Sequence, residues 1–537
     1  MKKIHKLLSV TISILMIIGV FFAVPITSYA AEDQIADTPP EESSSEGFAT
    51  SDGFKGELLY DGTWEITEYS GKESNLVIPG EFFEKKVTSI GCDAFYDNDN
   101  IVSVTIPDSV TYISNQAFYD CASLKSINVD TNNTEYSSID GVLFNKSADT
   151  ILTYPNGKAT SYTIPSGVTT IEYSAFGYCR DLEEVIIGND VTTIGYNAFE
   201  NCTNLSNVVM SDSVREISAF AFCGCESLTK ISIPKNVNYV DYYVFNDCTA
   251  LEAIEVDNSN TVYSSIDGVL YNKDGDTLVA YPNAKGSSYT IPDGVTTIEE
   301  GAFTGCVDLE NISVPDSVIR VGEYAFNDTA WYNNQPNGVI YAGKVAYQYF
   351  GEMPENASVV IKDGTRAIAE CSFQWCINLG EVIIPDSVEL IGKYAFEGCD
   401  SLKSVEIPDS VVRIETGAFG YEYYYDDEDN VKIDGFTIYG VKGSEAERYA
   451  VDNGFEFVEI DQPGIKVILG DANGDSKVDI KDVTFIQKAT ANDLTLSEAE
   501  RKAADTNGDG MINIKDATEI QKYIAGSGTE YKIGELI

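Results

Sequence analysis

The segment Ile106–Val129 reads IPDSVTYISNQAFYDCASLKSINV, and its pattern returns through most of the chain. The consensus of the copies is I-P-x-x-V-x-x-I-x-x-x-A-F-x-x-C-x-x-L-x-x-[IV]-x-[IV], and its phenylalanine is called the anchor here; Phe326 and Phe419 lack the Cys and Leu that should follow. The anchors are Phe95, Phe118, Phe176, Phe199, Phe222, Phe245, Phe303, Phe326, Phe373, Phe396 and Phe419. Seven of the ten intervals between them are 23 residues long. Such a period predicts a solenoid, since a single unit this short cannot bury its own apolar face.

Each unit contains a segment in which apolar and polar residues alternate, such as Leu124–Val129 and Leu402–Ile407. Alternation with a period of two predicts a β-strand that has one buried face. A Pro-Asp turn follows many of these segments, as at Pro107 and Pro385. Proline ends the strand because it has no N–H to donate to the ladder. We therefore expect one short strand per unit, stacked about 4.8 Å from its neighbours.

Three longer intervals interrupt the 23-residue period. Two of them are 58 residues long, and each contains an insert, 136–146 and 263–273, that differs from the other only at Phe144 and Tyr271. The offset between these inserts indicates that a block of 127 residues was duplicated. The third interval, of 47 residues, contains the segments 329–334 and 338–343, which predict an inserted hairpin.

The unit resembles the BspA-like leucine-rich repeat of bacterial surface proteins, with Ile and Val at several of the usual Leu positions. The resemblance covers about 53–460 and implies a mainly β solenoid with an extended surface for a protein or glycan ligand. Segments 63–69, 436–444 and 455–458 are expected to cap its ends, because an open solenoid end exposes its core.

Eight of the eleven cysteines lie three residues after an anchor: Cys121, Cys179, Cys202, Cys225, Cys248, Cys306, Cys376 and Cys399. Stacking would bring their Cα atoms within disulfide reach, but their Cα–Cβ bonds would run parallel instead of converging. We therefore expect a ladder of buried free thiols, rather than disulfides, metal ligands or redox groups. Many free thiols in an exported protein fit an anaerobic setting.

The N-terminus has the form of a secretory signal that is cleaved after Ala30, with three lysines before an apolar run over 7–24. The only histidine, His5, lies inside it, so we expect a mature protein without histidine for a catalytic triad, a general base or zinc. No later apolar run reaches the roughly 18 residues of a membrane span. A formal net charge of −50 argues against a nucleic-acid partner.

Two acidic loops, 471–482 (DANGDSKVDIKD) and 505–516 (DTNGDGMINIKD), follow the repeats with an offset of 34 residues. Calcium needs six to eight oxygens, and in a tight loop the side chains at positions 1, 3, 5, 9 and 12 and the carbonyl at position 7 point inward. The candidate ligands are Asp471, Asn473, Asp475, the Lys477 carbonyl, Asp479 and Asp482, and Asp505, Asn507, Asp509, the Met511 carbonyl, Asn513 and Asp516. One acidic loop could be a plain turn, whereas two in register predict two calcium ions. Position 6 of the first loop is Ser476, where the sharp turn prefers glycine, so the first site is the one whose affinity would suffer.

Each loop leads into a short helical pattern, 483–488 and 517–522, and no apolar helix precedes the first loop. This duplicated half EF-hand resembles a type I dockerin over about 469–526. The resemblance implies a small α-helical domain that folds around calcium and docks onto a cohesin of a scaffold protein. The expected cohesin contacts are Ile480, Lys481, Gln487, Lys488, Ile514, Lys515, Gln521 and Lys522. Eleven of twenty paired positions in 471–490 and 505–524 are identical, so a cohesin could dock on either half.

Together these features favour a secreted, non-catalytic binding protein that the dockerin attaches to a cellulosome-like scaffold, in the medium or at a bacterial surface. The alternatives are a polysaccharide hydrolase, since dockerins usually carry such enzymes and paired carboxylates can act without histidine, and a structural spacer. Against a hydrolase, the repeats leave no room of domain size, and no carboxylate departs from their solvent-facing positions.

The expected division of the chain is a signal peptide (1–30), an acidic disordered tether (31–52), repeats with caps (53–460), a linker (461–468), the dockerin (469–527) and a tail (528–537). The tether is a polar segment without a core of its own. The segment 421–430, YEYYYDDEDN, is interpreted as a solvated insertion, with sugar stacking or cation binding as the alternatives.

Overall fold

The computed structural model describes residues 48–422, 431–460, 467–491, 494, 496–535 and 537. It divides into two compact units, Met1–Phe48 and Ala49–Ile537, and the second contains the repeats and the calcium loops. The predicted signal peptide, most of the tether, most of the linker and residues 423–430 of the tyrosine-rich segment lie outside the described residues. None of the helices in the described part is long and apolar enough to cross a membrane.

The repeats form a β-solenoid, as predicted, in which each 23-residue turn is one rung. Strands of successive rungs pair in parallel with an offset of one repeat, so that Val185 lies opposite Val208 and Ile194 opposite Ile217. Each rung contributes two strands where we expected one. The predicted long strand precedes the Pro-Asp turn, and a strand of only two residues follows it, too short for alternation to reveal it.

The long strands are Asn75–Val77, Ser103–Ile106, Ser126–Val129, Ser161–Thr163, Glu184–Ile187, Asn207–Met210, Lys230–Ile233, Ala253–Val256, Ser288–Thr290, Asn311–Ser313, Ala357–Val360, Leu379–Ile383, Ser404–Glu406, Thr437–Gly440 and Glu456–Glu459. The short strands are Tyr112–Ile113, Thr170–Ile171, Thr193–Ile194, Glu216–Ile217, Tyr239–Val240, Thr297–Ile298, Arg320–Val321, Ala367–Ile368, Leu390–Ile391 and Arg413–Ile414.

All three longer intervals contain hairpins. The hairpin predicted from 329–334 and 338–343 is only partly confirmed, because Gly338–Ala342 pairs with Val345–Phe350 and 330–333 form a helix instead of a strand. The hairpin strands are Tyr136–Ile139, Val142–Asn145 and Thr150–Thr153; Tyr263–Ile266, Val269–Asn272 and Thr277–Ala280; and Gly338–Ala342 with Val345–Phe350, after helix α1 (Ala330–Asn333). At the N-terminal end lie Phe48–Ser51, Phe54–Leu58, Trp64–Tyr69, Glu81–Phe82 and Lys85–Ile90. The C-terminal cap adds helix α2 (Glu445–Asn453), which the sequence analysis did not predict.

The anchors form a buried column of aromatic rings along the solenoid. Neighbouring rings stack face to face, with centroids 5.2 Å apart for Phe199 and Phe222 and 4.9 Å apart for Phe373 and Phe396. Within the duplicated inserts the column continues through a tyrosine. Tyr154 stacks on Phe176 at 4.9 Å, and its N–H donates to the Ala175 carbonyl as an anchor N–H does. A search for phenylalanine alone therefore misses these rungs.

The cysteines after the anchors are free thiols, and all but the half-buried Cys376 are buried. Seven of these thiols lie within hydrogen-bonding reach of the carbonyl of the aromatic anchor one rung earlier: the Sγ of Cys202 is 3.1 Å from the Phe176 oxygen, and that of Cys399 is 3.1 Å from the Phe373 oxygen. Burial raises the pKa of the Cys248 thiol to about 12. The ladder is thus held by packing and by S–H donation.

Helices α3 (Ile480–Thr490), α4 (Glu498–Ala504) and α5 (Ile514–Ile524) follow the repeats. Helices α3 and α5 extend both predicted helical patterns, and the small core between them contains Val483, Ile486, Ala517 and Ile520. The segment expected to be a tail returns to this domain: Val467 and Ile537 exchange two backbone hydrogen bonds of 3.0 and 2.9 Å.

We predict that the repeats remain folded in a reducing buffer, because the thiol ladder contains no cross-link to lose. Within the ladder, Cys202→Ser keeps a donor for the Phe176 carbonyl, whereas Cys202→Val removes it, so Val should cost about 1 kcal/mol more in the free energy of unfolding. Urea denaturation with and without reductant measures both effects. Mass spectrometry that found four or more disulfides among the anchor-plus-three cysteines would contradict the ladder.

Candidate calcium loops and docking faces

The two acidic loops take the same conformation because their ligand candidates also cap the helices that follow. Asp479, at position 9, is the N-cap of α3, and Asp482, at position 12, is the third helical residue. The Asp479 side chain accepts from the Lys481 N–H at 2.6 Å, and the Asp482 carboxylate accepts from the Asp479 N–H at 2.8 Å. This reciprocal pair is a capping box. It fixes two oxygen-bearing side chains before any ion binds.

The other side chains of the first loop accept hydrogen bonds from the backbone of the loop itself. Both oxygens of Asp471 accept backbone N–H groups, from Asp475 at 3.0 Å and from Ser476 at 2.8 Å. The second oxygen of the Asp482 carboxylate accepts from the Asn473 N–H at 3.1 Å. Asp471 and Asp482 are buried, whereas Asp475 and Lys477 lie at the exposed rim. The loop thus gathers five of its six predicted contributors through its own backbone.

The second loop repeats this arrangement residue by residue. Asn513 caps α5 and forms the capping box with Asp516. Asp505 accepts from the N–H groups of Asp509 at 3.1 Å and Gly510 at 2.8 Å. Asn507 accepts from Asp509 at 2.9 Å. The carbonyl of Met511 accepts from the Asn513 side chain at 2.9 Å, so these two oxygen-bearing groups adjoin each other.

Burial and like charge raise carboxylate pKa values in both loops. The pKa of Asp471 is raised by burial and then by the charge of Asp482. Burial also raises the pKa of Asp482 and of Asp516, and the nearby Asp505 charge adds to the effect at Asp516. A divalent cation would lower the free-energy cost of burying these carboxylates in their charged form, because it compensates for their lost hydration and offsets the repulsion between them.

The donor set fits calcium. In the described part of the chain, no three Asp, Glu, Cys or His side chains form a metal-binding cluster by themselves. Each loop instead offers carboxylates together with asparagine oxygens and a backbone carbonyl, an all-oxygen set of the kind that Ca²⁺ takes. Soft metals would prefer thiolate or imidazole ligands, which neither loop contains.

The loops differ at the sharp turn of position 6. Ser476 has φ +64° and Gly510 has φ +78°, so both adopt the left-handed conformation. Glycine reaches that conformation freely, whereas serine pays about 1–2 kcal/mol for it. The observed φ supports the sequence argument about Ser476, because the first loop must hold a strained turn that the second does not.

Helices α3 and α5 present matching exposed faces. All eight residues expected to contact cohesin are exposed: Ile480, Lys481, Gln487, Lys488, Ile514, Lys515, Gln521 and Lys522. Sequence reasoning missed two further exposed pairs on the same faces, Thr484 with Thr518 and Ala491 with Ala525. Their identity at the 34-residue offset and their helical spacing from Ile480 and Ile514 are the signals that could have found them.

The first described residue of the tyrosine-rich segment is structural. Tyr421 is buried, and its hydroxyl donates to the Asn453 side chain at 2.7 Å across the C-terminal cap.

On the long-strand face, most outward residues are polar, and the exposed Ile186 and Val209 lie opposite each other on adjacent strands.

Comparison with known proteins identifies two families. The family profile "BspA type Leucine rich repeat region" matches six copies over residues 74–156, 151–266, 279–349 and 343–427. The profile "Dockerin type I domain" matches residues 469–525. No curated protein matches the chain.

Solved structures of similar proteins include three bacterial examples. A leucine rich cell surface protein from Faecalibacterium prausnitzii is 24% identical, covers 78% of this chain and 95% of its own, and has a TM-score of 0.32. Pneumococcal vaccine antigen PcpA is 20% identical, with 78% and 100% coverage and a TM-score of 0.35. A leucine-rich repeat protein from Eubacterium ventriosum is 22% identical, with 72% and 98% coverage and a TM-score of 0.30.

We predict that a fragment of the last 70 residues folds only when calcium is present, because the buried carboxylates destabilise the empty loops. Circular dichroism of the chelated fragment should gain helix on adding calcium. Unchanged spectra would contradict the prediction.

We also predict that Ser476→Gly strengthens calcium binding at the first loop by relieving its strained turn. The gain should be at most about five- to thirtyfold, which is the strain of about 1–2 kcal/mol expressed as a ratio of dissociation constants. Isothermal titration of the full chain measures it, and Gly510→Ser is the matched reverse change, which should weaken the second site. Equal affinities before and after both substitutions would show that turn strain does not limit binding.

Proposed function

This chain belongs to the BspA-type leucine-rich repeat family and ends in a type I dockerin domain, and we propose that it is an exported, non-catalytic adaptor. In this proposal the dockerin binds two calcium ions and plugs the protein into a cohesin of a cellulosome-like scaffold. The solenoid then presents its extended surface to a protein or glycan ligand. The proposal that the protein is exported rests on the segment Met1–Ala30, which has the form of a secretory signal.

The observation that carries the proposal is the pair of loops whose caps and ligand candidates coincide. Position 9 caps each following helix, and position 12 completes each capping box. In such a loop the capping box restrains the side chains at positions 9 and 12 before calcium binds, and the face of the helix that follows remains exposed. Calcium binding would therefore order two faces with the same polar and apolar groups, which is what a docking module needs.

The solenoid supports binding rather than chemistry. The described repeats are stacked rungs whose side chains either fill the core or line two ladders, and matched profiles cover only repeats and dockerin. A long ladder of rungs offers a large, rigid surface, which is how repeat proteins recognise partners. A hydrolase would need opposed carboxylates around a sugar ring, and neither of the two matched family profiles is that of a hydrolase.

The proposal is tested by capturing partners from the source organism's secreted proteins, with and without a chelator. A cohesin-bearing scaffold should be recovered only with calcium, while ligands of the repeats should be recovered in both conditions. The matched control is a chain in which Asp482→Ala and Asp516→Ala remove both position-12 carboxylates. Failure to recover any cohesin with the unaltered chain in calcium would contradict the docking role.

We predict that docking survives loss of one helix face and fails when both are lost. Lys481→Glu with Lys488→Glu should leave cohesin capture through the second half, because that half carries the same exposed groups. Adding Lys515→Glu and Lys522→Glu should abolish it. Calorimetric titration, with calcium loading checked at both loops, measures the outcome. If the first pair alone eliminates capture while calcium binding is preserved, the module uses one face only.

A further inference from the structure

The two docking faces are alike at their centre and different at one flank. Six exposed positions are identical in α3 and α5, and they are listed here as pairs: Ile480 and Ile514, Lys481 and Lys515, Thr484 and Thr518, Gln487 and Gln521, Lys488 and Lys522, and Ala491 and Ala525. Of the neighbouring positions that are not shared, one is half-buried in both helices, Phe485 in α3 and Glu519 in α5, and another is Ala489 in α3 and the exposed Tyr523 in α5. A partner that can bind either face would contact an aromatic ring beside the α3 face and a carboxylate beside the α5 face.

Glu519 forms an ion pair with a lysine of the docking face on its own helix. Its carboxylate forms an ion pair of 2.6 Å with the Lys522 ammonium, one turn along α5. Its other oxygen accepts from the Thr529 hydroxyl at 3.1 Å, in the segment that returns to the domain. The Glu519 side chain is only 14% exposed, whereas that of Lys522 is 48% exposed. Lys522 is thus held at the edge of the face by a carboxylate that stays in place.

The matching lysine of the first half has no such restraint. Within the described residues Lys488 makes no ion pair, and the position three residues before it is Phe485, which packs against the dockerin core. The other lysine of that face, Lys481, pairs with Asp475 at 2.9 Å. Asp475 is a candidate calcium ligand, so calcium would draw its charge away from Lys481. Glu519 is not one, so calcium leaves the Lys522 pair intact.

We infer that the first half is the stronger docking face for a cohesin with an acidic surface, and that the Glu519–Lys522 ion pair weakens the second. The inference rests on the proposed docking function and names the partner's chemistry: carboxylates placed to receive the lysines of the face. On the second half such a carboxylate must compete with Glu519 for Lys522, and it meets like charge nearby. Unpaired like charges across an interface oppose binding.

The test uses the full chain, loaded with calcium, and the isolated cohesin domain recovered by the calcium-dependent capture. One variant keeps only the second face (Lys481→Glu with Lys488→Glu), and another keeps only the first (Lys515→Glu with Lys522→Glu). We expect the chain with only the second face to bind about three- to tenfold more weakly. Equal dissociation constants for the two variants would overturn the inference.

Glu519→Gln then isolates the cause. In the chain that keeps only the second face it should tighten binding about two- to fivefold, the range of an exposed ion pair, and the gain should shrink at high salt. In the chain that keeps only the first face it should change nothing. Glu535→Gln is the matched control, because it removes the same charge from the same domain at a site paired with Lys532.

The outcomes separate the two claims. If the unaltered chain binds no cohesin, the docking function itself fails and the inference falls with it. If the chain binds cohesin but Glu519→Gln has no effect in the second-face variant, or has the same effect as Glu535→Gln, the docking function stands and the ion pair is not the selecting feature. Calcium titration of each variant shows that the loops remain loaded, so a folding defect cannot imitate either result.

Discussion

In-register stacking of 23-residue rungs is the constraint on which the rest of the solenoid depends. The backbone N–H and C=O groups of each strand must pair with those of the strand in the next rung, because a buried backbone group without a hydrogen-bond partner destabilises the fold. An insert can survive only if it restores those bonds. In the first insert the Tyr136 hydroxyl accepts from the Ile113 N–H at 2.9 Å, and Asn133 donates to the Pro107 and Val110 carbonyls. These side chains substitute for the strand that the hairpin displaces.

Most of the solenoid could be predicted from period and alternation, and the exceptions have physical causes. A strand of two residues, such as Thr193–Ile194, leaves no alternation to detect. Tyr154 fills the anchor position because stacking requires a flat ring and not a particular residue type. Helix α2 lies between two predicted cap segments, and its signals, Ser444 as N-cap with Glu445 and Glu447 in the first turn, are local and unrelated to the repeat.

The sequence defines the two acidic loops more fully than the exposed helix faces, because a candidate ligand set is defined by spacing within twelve residues, whereas a face is defined by tertiary contacts. The pairing of Glu519 with Thr529 depends on the returning segment, whose path is set by the burial of Ile533 and by its backbone bonds to Leu469. No pattern inside α5 encodes that return. The duplication makes the two halves similar in sequence, and near the docking faces they differ at Phe485 against Glu519 and at Ala489 against Tyr523.

Stacking also explains why perturbed carboxylates in this protein need not mark a catalytic site. Equivalent positions of successive rungs lie next to each other, so acids at the same repeat position become neighbours. Burial and then the Glu323 charge raise the pKa of Glu300 to about 7. A general acid in a hydrolase would show a similar value. Here Glu323 lies 23 residues after Glu300, at the equivalent position of the next 23-residue unit, so the register of the solenoid supplies the charge that adds to the effect of burial.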